Sequence, residues 1–315
     1  MPVGSPEAIL GHESVKVSLR QLRLRGVHAL LFIGAPSLGK RLVAQWYAQW
    51  CNCLQAGDEP CGRCPSCLAM QHQSHPDYRE IVAERSTKTG KLSRKPQLRI
   101  DDLVPRSDGN ASPLTTWLEQ RPRFAHRVGV IDGAETLNVQ AANAFLKMLE
   151  EPPSYASIIL ISSSEHRVLA TLRSRCTILR FRAQDIQDID ALAAAQGIRH
   201  PAARLGRVGD IVRAAADPEE FRLSDTLVQD YLEALRQDLD TALTHADALE
   251  KAWSNERPFA VAPLLRAHLS NYPPALRPLA LEALEQCEAA LEAYASPGIA
   301  VQVLTLALRA LLARA

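Results

Sequence analysis

The chain has almost no charge of either sign to spare. Its 315 residues carry 36 Lys and Arg against 35 Asp and Glu, a formal net charge of +1. So even a balance excludes a whole-molecule field that would draw the chain onto nucleic acid or anionic lipid. Any contact with DNA must then be local or shared with partners. Basic side chains do not interleave with aromatics, which also argues against a stand-alone DNA-binding module. No apolar run approaches the ~20 residues of a membrane helix. The first residues, MPVGSPEAIL, lack the basic region and apolar segment of a signal peptide. These absences lead to the expectation of a cytoplasmic protein with no membrane partner. No internal repeat is visible, so a solenoid is not expected.

What is present is an ordinary globular composition, with 47% apolar residues in a chain long enough for two or three domains. Short apolar runs at Ala29–Ile33, Val128–Ile131, Ile158–Ile161 and Thr177–Phe181 read as strands. Between the first two, Leu42, Val43, Trp46 and Tyr47 follow a helical spacing. Asn138 can cap a helix through AANAFLKMLEE that Pro152-Pro153 ends. Strands alternating with helices predict an α/β domain with a parallel sheet over residues 1–183. After Ala183 the strand signal stops. Short helical segments broken by Gly197, Gly206 and Gly209 predict a small helical domain over 184–222. From Leu223 to residue 315 the pattern is helical, punctuated by Pro258, Pro263, Pro273-Pro274, Pro278 and Pro297. Two stretches look irregular: STKTGKLSRKPQLR at 86–99, with five basic residues and no acid, and PRSDGNASP at 105–113. The first is read as a solvated loop or a minor contact with DNA phosphates.

Residues 31–41, LFIGAPSLGKR, are nearly a phosphate-binding loop, with Gly34, Gly39 and Lys40 at the required spacing after a buried strand. Backbone N–H groups of such a loop and the next helix form an anion site, and Lys40 would reach the outer phosphates. A glycine-rich turn that binds nothing is the alternative. Binding is not hydrolysis, however. The position after Lys40 needs a Ser or Thr hydroxyl for magnesium, and it is Arg41, whose guanidinium has donors only. Asp132 ends its strand as a Walker B acid would, or serves as a turn aspartate. The water-polarising residue expected next is Gly133, and Glu135 is expected to point elsewhere.

Five of the seven cysteines lie between Cys51 and Cys67. In a chain without an oxidising context this density points to metal. Cys61, Cys64 and Cys67 form C-x-x-C-x-x-C, and Cys53 is preferred over Cys51 as the fourth ligand. Four thiolates make a closed tetrahedral zinc site, structural because no position stays open for water. A redox pair or iron–sulfur cluster is the alternative. Cys176 and Cys287 stand alone and read as small apolar residues.

TLRSRC at 171–176, LEEPP at 149–153 and HALL at 28–31 complete a recognisable set. The chain resembles the AAA+ clamp-loader subunits of bacterial DNA polymerase III, most of all their delta-prime branch. The resemblance covers residues 20–182 and the layout of the rest. It implies an AAA+ module with a zinc-binding insertion at about 51–68, a helical lid and a C-terminal helical collar that joins subunits. It implies gamma/tau and delta partners in a hetero-pentameric ring that loads a sliding clamp on primed DNA as part of the polymerase III holoenzyme. It implies structural zinc on Cys53, Cys61, Cys64 and Cys67. Arg175 matches the family's arginine finger, which reaches the γ-phosphate held by a neighbouring subunit. Arg41 and Gly133 match the degenerate sites of the delta-prime branch, a stator without its own ATPase activity. The better-preserved Gly39-Lys40 leaves ATP binding open. An active gamma/tau-type ATPase is the alternative.

Overall fold

The structure is a computed structural model. It describes residues 12–55, 57–86, 92–98, 103, 113–182, 217–254, 261–292 and 296–313. Contacts divide the chain into two units, Met1–Gln184 and Asp185–Ala315.

In the first unit helix α1 (Glu13–Leu24) precedes strand β1 (Ala29–Ile33) and helix α2 (Lys40–Asn52). Then come α3 (Pro65–Gln71), β2 (Tyr78–Val82), β3 (Glu84–Ser86), β4 (Leu92–Gln97) and α4 (Leu114–Glu119). The unit continues with β5 (Arg127–Asp132), α5 (Val139–Glu150), β6 (Ala156–Ser162), α6 (Ala170–Arg173) and β7 (Thr177–Arg180). Five strands form one sheet in the order β2-β5-β6-β1-β7, and every pairing in it is parallel. This is the α/β module expected from the sequence.

The central strands are apolar at nearly every position because helices cover both faces of a parallel sheet. Side chains still alternate. Leu30, Phe32, Val128 and Val130 meet Val43, Trp46 and Tyr47 of α2 and Leu19 of α1. Leu31, Ile131, Ile158 and Leu160 meet Phe145 of α5 and Leu114 and Leu118 of α4. Gly129 leaves room on this second face, since a Cβ there would lie 3.1 Å from Leu114 Cδ1. Asn138 caps α5 as expected, accepting from Ala141 N at 2.8 Å.

Three strands, β2, β3 and β4, escaped the sequence reading. β2, YREIV, is an edge strand, so half-buried polar residues break its apolar run. β4 lies inside the stretch 86–99 that was expected to be irregular, and this is a correction. It pairs antiparallel with β3 through Glu84↔Gln97 and Ser86↔Leu92, in a separate two-stranded sheet. Pro96 and the basic residues hide the strand, yet a two-stranded ribbon tolerates proline because each strand is an edge. The basic residues Lys88, Lys91 and Arg99 and the loop at 105–112 lie outside the described residues.

The second unit contains α7 (Pro218–Ala234), α8 (Leu239–Ser254), α9 (Val261–Leu269), α10 (Arg277–Glu292) and α11 (Pro297–Leu312). Asp217 caps α7 by accepting from Glu220 N at 3.0 Å, with Pro218 at the first helical position. The expected start at Leu223 thus falls inside α7. The lid expected at 184–222 falls mostly on 184–216, outside the described residues. Pro263, Pro278 and Pro297 stand in the first turns of α9, α10 and α11, where a missing N–H breaks no helical bond. Phe221, Tyr231, Leu249, Leu265, Leu284 and Leu304 form the core of this unit. Tyr231 and Thr305 satisfy each other's buried hydroxyls at 2.9 Å. Among the described residues, no helix is long and apolar enough to cross a membrane.

Candidate functional site

The loop at 34–39 leaves β1 and enters α2. Gly34 has no room for a side chain, since a Cβ would lie 2.6 Å from the Phe181 carbonyl oxygen. Gly39, at φ +81, turns the chain into the helix. Ser37 holds a left-handed backbone at φ 63, unusual for a residue with a Cβ. His12 Nε2 bonds the Leu38 carbonyl at 2.7 Å, and its ring lies against Phe181. Burial lowers the His12 pKa. Lys40 is buried, and its Nζ donates to the carbonyls of Gly34 at 2.5 Å and Ala35 at 2.7 Å. The ammonium that would meet phosphate is turned onto its own loop.

Beside the loop, Arg41 Nε lies 2.5 Å from Glu80 Oε1 on β2, where the carboxylate is 9% exposed. Asp132 ends β5 as expected. Burial raises its pKa, and the charges of Arg41 and Lys40 oppose that rise. Gly133 follows at φ +97, and a Cβ would lie 2.8 Å from Ala83 Cβ. The backbone therefore demands glycine where a catalytic acid would stand. Glu135 lies two positions further on. It accepts from Ser163 Oγ at 3.2 Å, and its charge helps raise the Asp132 pKa. Magnesium does not fit this arrangement: the residue in the hydroxyl position has donors only, and it is already bound to an acid.

Arg175 lies in the turn between α6 and β7. Its Nε donates to Glu150 Oε1 at 2.5 Å, and its Nη1 donates to the Thr171 carbonyl at 3.1 Å and Ser174 Oγ at 3.3 Å. The side chain is 34% exposed. Glu150 closes α5 within LEEPP, so two of the quoted motifs meet here.

The sulfurs of Cys53, Cys61, Cys64 and Cys67 all lie within 4.8 Å of one another. Tetrahedral zinc with bonds of about 2.3 Å needs sulfurs about 3.8 Å apart, so the four can hold a metal ion. Cys51 is not in the cluster, and burial pushes its thiol up to about 11. Cys53 follows the end of α2, and Cys64 caps α3. The Cys61 N–H donates to Cys53 Sγ at 3.3 Å, and the Cys67 N–H to Cys64 Sγ at 3.5 Å. Hydrogen bonds from the backbone, first that of Arg63, hold the Cys61 thiol down to about 6. Glu59 anchors the insertion to α1 and α2, accepting from Arg20 Nη2 at 2.8 Å and Trp46 Nε1 at 2.6 Å. Cys176 and Cys287 lie apart, and burial raises both thiols.

Comparison with known proteins bears directly on this set of features. The family model described as "DNA polymerase III, delta subunit" matches residues 13–185. The chain belongs to the DNA polymerase III delta-subunit family. The DNA polymerase III subunit delta' of Haemophilus influenzae is 36% identical over 154 residues, 49% of this chain and 42% of that protein. The Escherichia coli subunit delta' is 35% identical over 157 residues, with the same coverage of 49% and 42%. The subunit tau of Bacillus subtilis is 30% identical over 179 residues, 56% of this chain and 29% of that protein. The match thus spans less than half the length of these relatives. A gamma subunit-related protein of Thermotoga maritima superposes with a TM-score of 0.44 at 16% identity, over 93% of this chain and 98% of the other. The delta-prime resemblance read from residues 20–182 is borne out by the family match and these relatives.

Two contributors escaped the sequence reading. Glu80 sits on the unread edge strand, and no local pattern marks it. His12 precedes every motif and meets the loop only through the fold. Glu150 stood in LEEPP, where its spacing on α5 could have suggested a partner on the following turn.

Proposed function

We propose that this chain serves as a delta-prime-type subunit of a cytoplasmic DNA polymerase III clamp loader, a stator that turns over no ATP itself and completes a neighbour's ATP site. In this reading residues 1–183 form the AAA+ module, 184–222 the lid and 223–315 the collar. The collar joins gamma/tau and delta subunits in a five-membered ring that opens a sliding clamp and loads it on primed DNA. Zinc on the four cysteines is structural, since four protein ligands leave no site for water.

One contrast within the first unit carries the reading. Its own loop is engaged by its own side chains, with Lys40 on the Gly34 and Ala35 carbonyls and Arg41 on Glu80. Arg175, by comparison, stands partly exposed in a turn, with Nε and Nη1 held by Glu150 and Thr171. Those two contacts fix the direction of a permanently charged, forked group. Such a group stabilises the charge that develops on a γ-phosphate held across an interface. An active gamma/tau-type ATPase is the second reading, favoured only by the preserved Gly39-Lys40.

The test is steady-state ATP turnover and clamp loading by a reconstituted complex containing Arg175→Ala. The variant should assemble normally and lower clamp-dependent turnover. Arginine fingers are worth roughly 10³ to 10⁵ at a single site. The whole-complex loss is smaller, because other sites keep their own fingers. Normal rates in a fully assembled variant complex rule out the role in the neighbour's site.

A further inference from the structure

We infer that the Arg41 guanidinium takes the place of the divalent cation in this phosphate loop, and that this one side chain keeps magnesium out. The inference rests on the reading of the loop as a remnant. It is independent of Arg175.

The argument begins with register. β2 pairs with β5 so that Glu80 faces Val130 and Val82 faces Asp132. Glu80 and Asp132 therefore project from the same face of the sheet, on neighbouring strands and two positions apart. It is the face covered by α2, because Val128 and Val130 pack with Val43 and Tyr47. Two carboxylates at this edge, beside a phosphate loop, are hard oxygen ligands of the kind that hold magnesium. Arg41 enters from the first turn of α2 and pairs with the nearer of the two acids. Its Nε meets Glu80 Oε1, and its charge is felt at both Glu80 and Asp132. A guanidinium supplies positive charge and hydrogen-bond donors but no lone pair, so it offsets the charge of these acids and cannot itself act as a metal ligand. Magnesium approaching the same oxygens would meet a fixed cation. Arg41 is also the residue that directly follows Lys40, where a metal-binding hydroxyl would stand. One substitution thus removes the hydroxyl ligand and fills the cation's place.

The test is calorimetric titration of the full chain with ATP, in excess magnesium and in EDTA. The wild-type chain should bind ATP equally in both conditions, or not at all in either. Arg41→Ser should bind at least about tenfold more tightly with magnesium than with EDTA, a difference of about 1.4 kcal/mol. Arg41→Lys keeps the charge without a lone pair and should behave as wild type. Since Arg41→Ser leaves Glu80 buried without its partner, Arg41→Ser/Glu80→Gln is titrated alongside it, and the same magnesium preference is expected through Asp132. A magnesium preference in the wild-type chain overturns the inference. So does the absence of one in a folded serine variant, whether or not ATP binds. ATP turnover by the isolated wild-type chain would instead sink the remnant reading itself.

Discussion

Single side chains set what this fold can do chemically. Gly133 is the plainest case, because φ +97 and the Ala83 methyl at 2.8 Å both oppose a side chain. Gly133→Glu would install the acid that working Walker B motifs carry. It is expected to lose about 1–3 kcal/mol of stability through backbone strain, and to gain no ATP turnover. A urea melt and an ATPase assay check both halves. His126 sets a different limit. Burial, reinforced by Arg23 and His28, depresses its pKa to about 3, and its ring meets Ser157 Oγ at 2.8 Å and Arg23 Nη2 at 3.0 Å. An unfolded histidine takes up a proton below pH ~6.5, while the folded one refuses it until about 3. Stability from this group is therefore full above pH ~6.5 and drains as pH falls toward the folded value. His126→Gln should flatten the dependence of unfolding free energy on pH by about one proton across that window. An unchanged slope in denaturant melts at pH 4 to 6 would show that another group governs it.

Local elements carry their own tests. The cysteine insertion closes over only a short stretch of chain, and its core is small. A metal held by the four thiolates would supply most of its folding energy. The purified chain should contain about one zinc per molecule. Cys64→Ala should lose the metal and expose the insertion to protease, while the sheet and α5 stay folded. Iron in metal analysis, or no metal in protein never exposed to chelator, would refute the assignment. Helix α5 deserves the same treatment because it delivers Glu150 to Arg175. Asn138→Ala removes the bond to Ala141 N and should cost about 0.5–2 kcal/mol. A loss much larger than this would mean that Asn138 does more than cap the helix.

On the proposed reading, the chain serves the assembled loader without turning over ATP itself. With 36 basic against 35 acidic residues, the chain alone is expected to have little affinity for DNA. Co-expressed with gamma/tau-type and delta-type subunits, it should elute with them as one complex. Elution by itself under the same conditions would contradict the stator reading. The isolated chain should show no ATP turnover above background. Turnover that vanishes in Lys40→Ala would show that the loop works after all.

Much of this was legible in the sequence wherever a few neighbouring residues suffice. β1, β5 and β6 are covered on both faces, so each appears as a continuous apolar run. The Asn138 cap spans three residues, and the C-x-x-C-x-x-C spacing places three sulfurs through tight turns. Such features depend on local geometry, which composition and period report directly. β2 and β4 were not legible, because an edge strand and a two-stranded ribbon need no apolar alternation. The pairings at the sites were not legible either. Arg41 meets Glu80, and Arg175 meets a glutamate 25 residues earlier, only because the fold brings elements distant in the chain together. Lys40 turning onto its own loop is likewise a tertiary outcome. The residue types allowed a phosphate contact, and the packed environment around them offered the ammonium two carbonyls instead. Sequence determined which groups are available, and tertiary structure decided which of them meet, since burial rewards whichever charge finds a partner within reach.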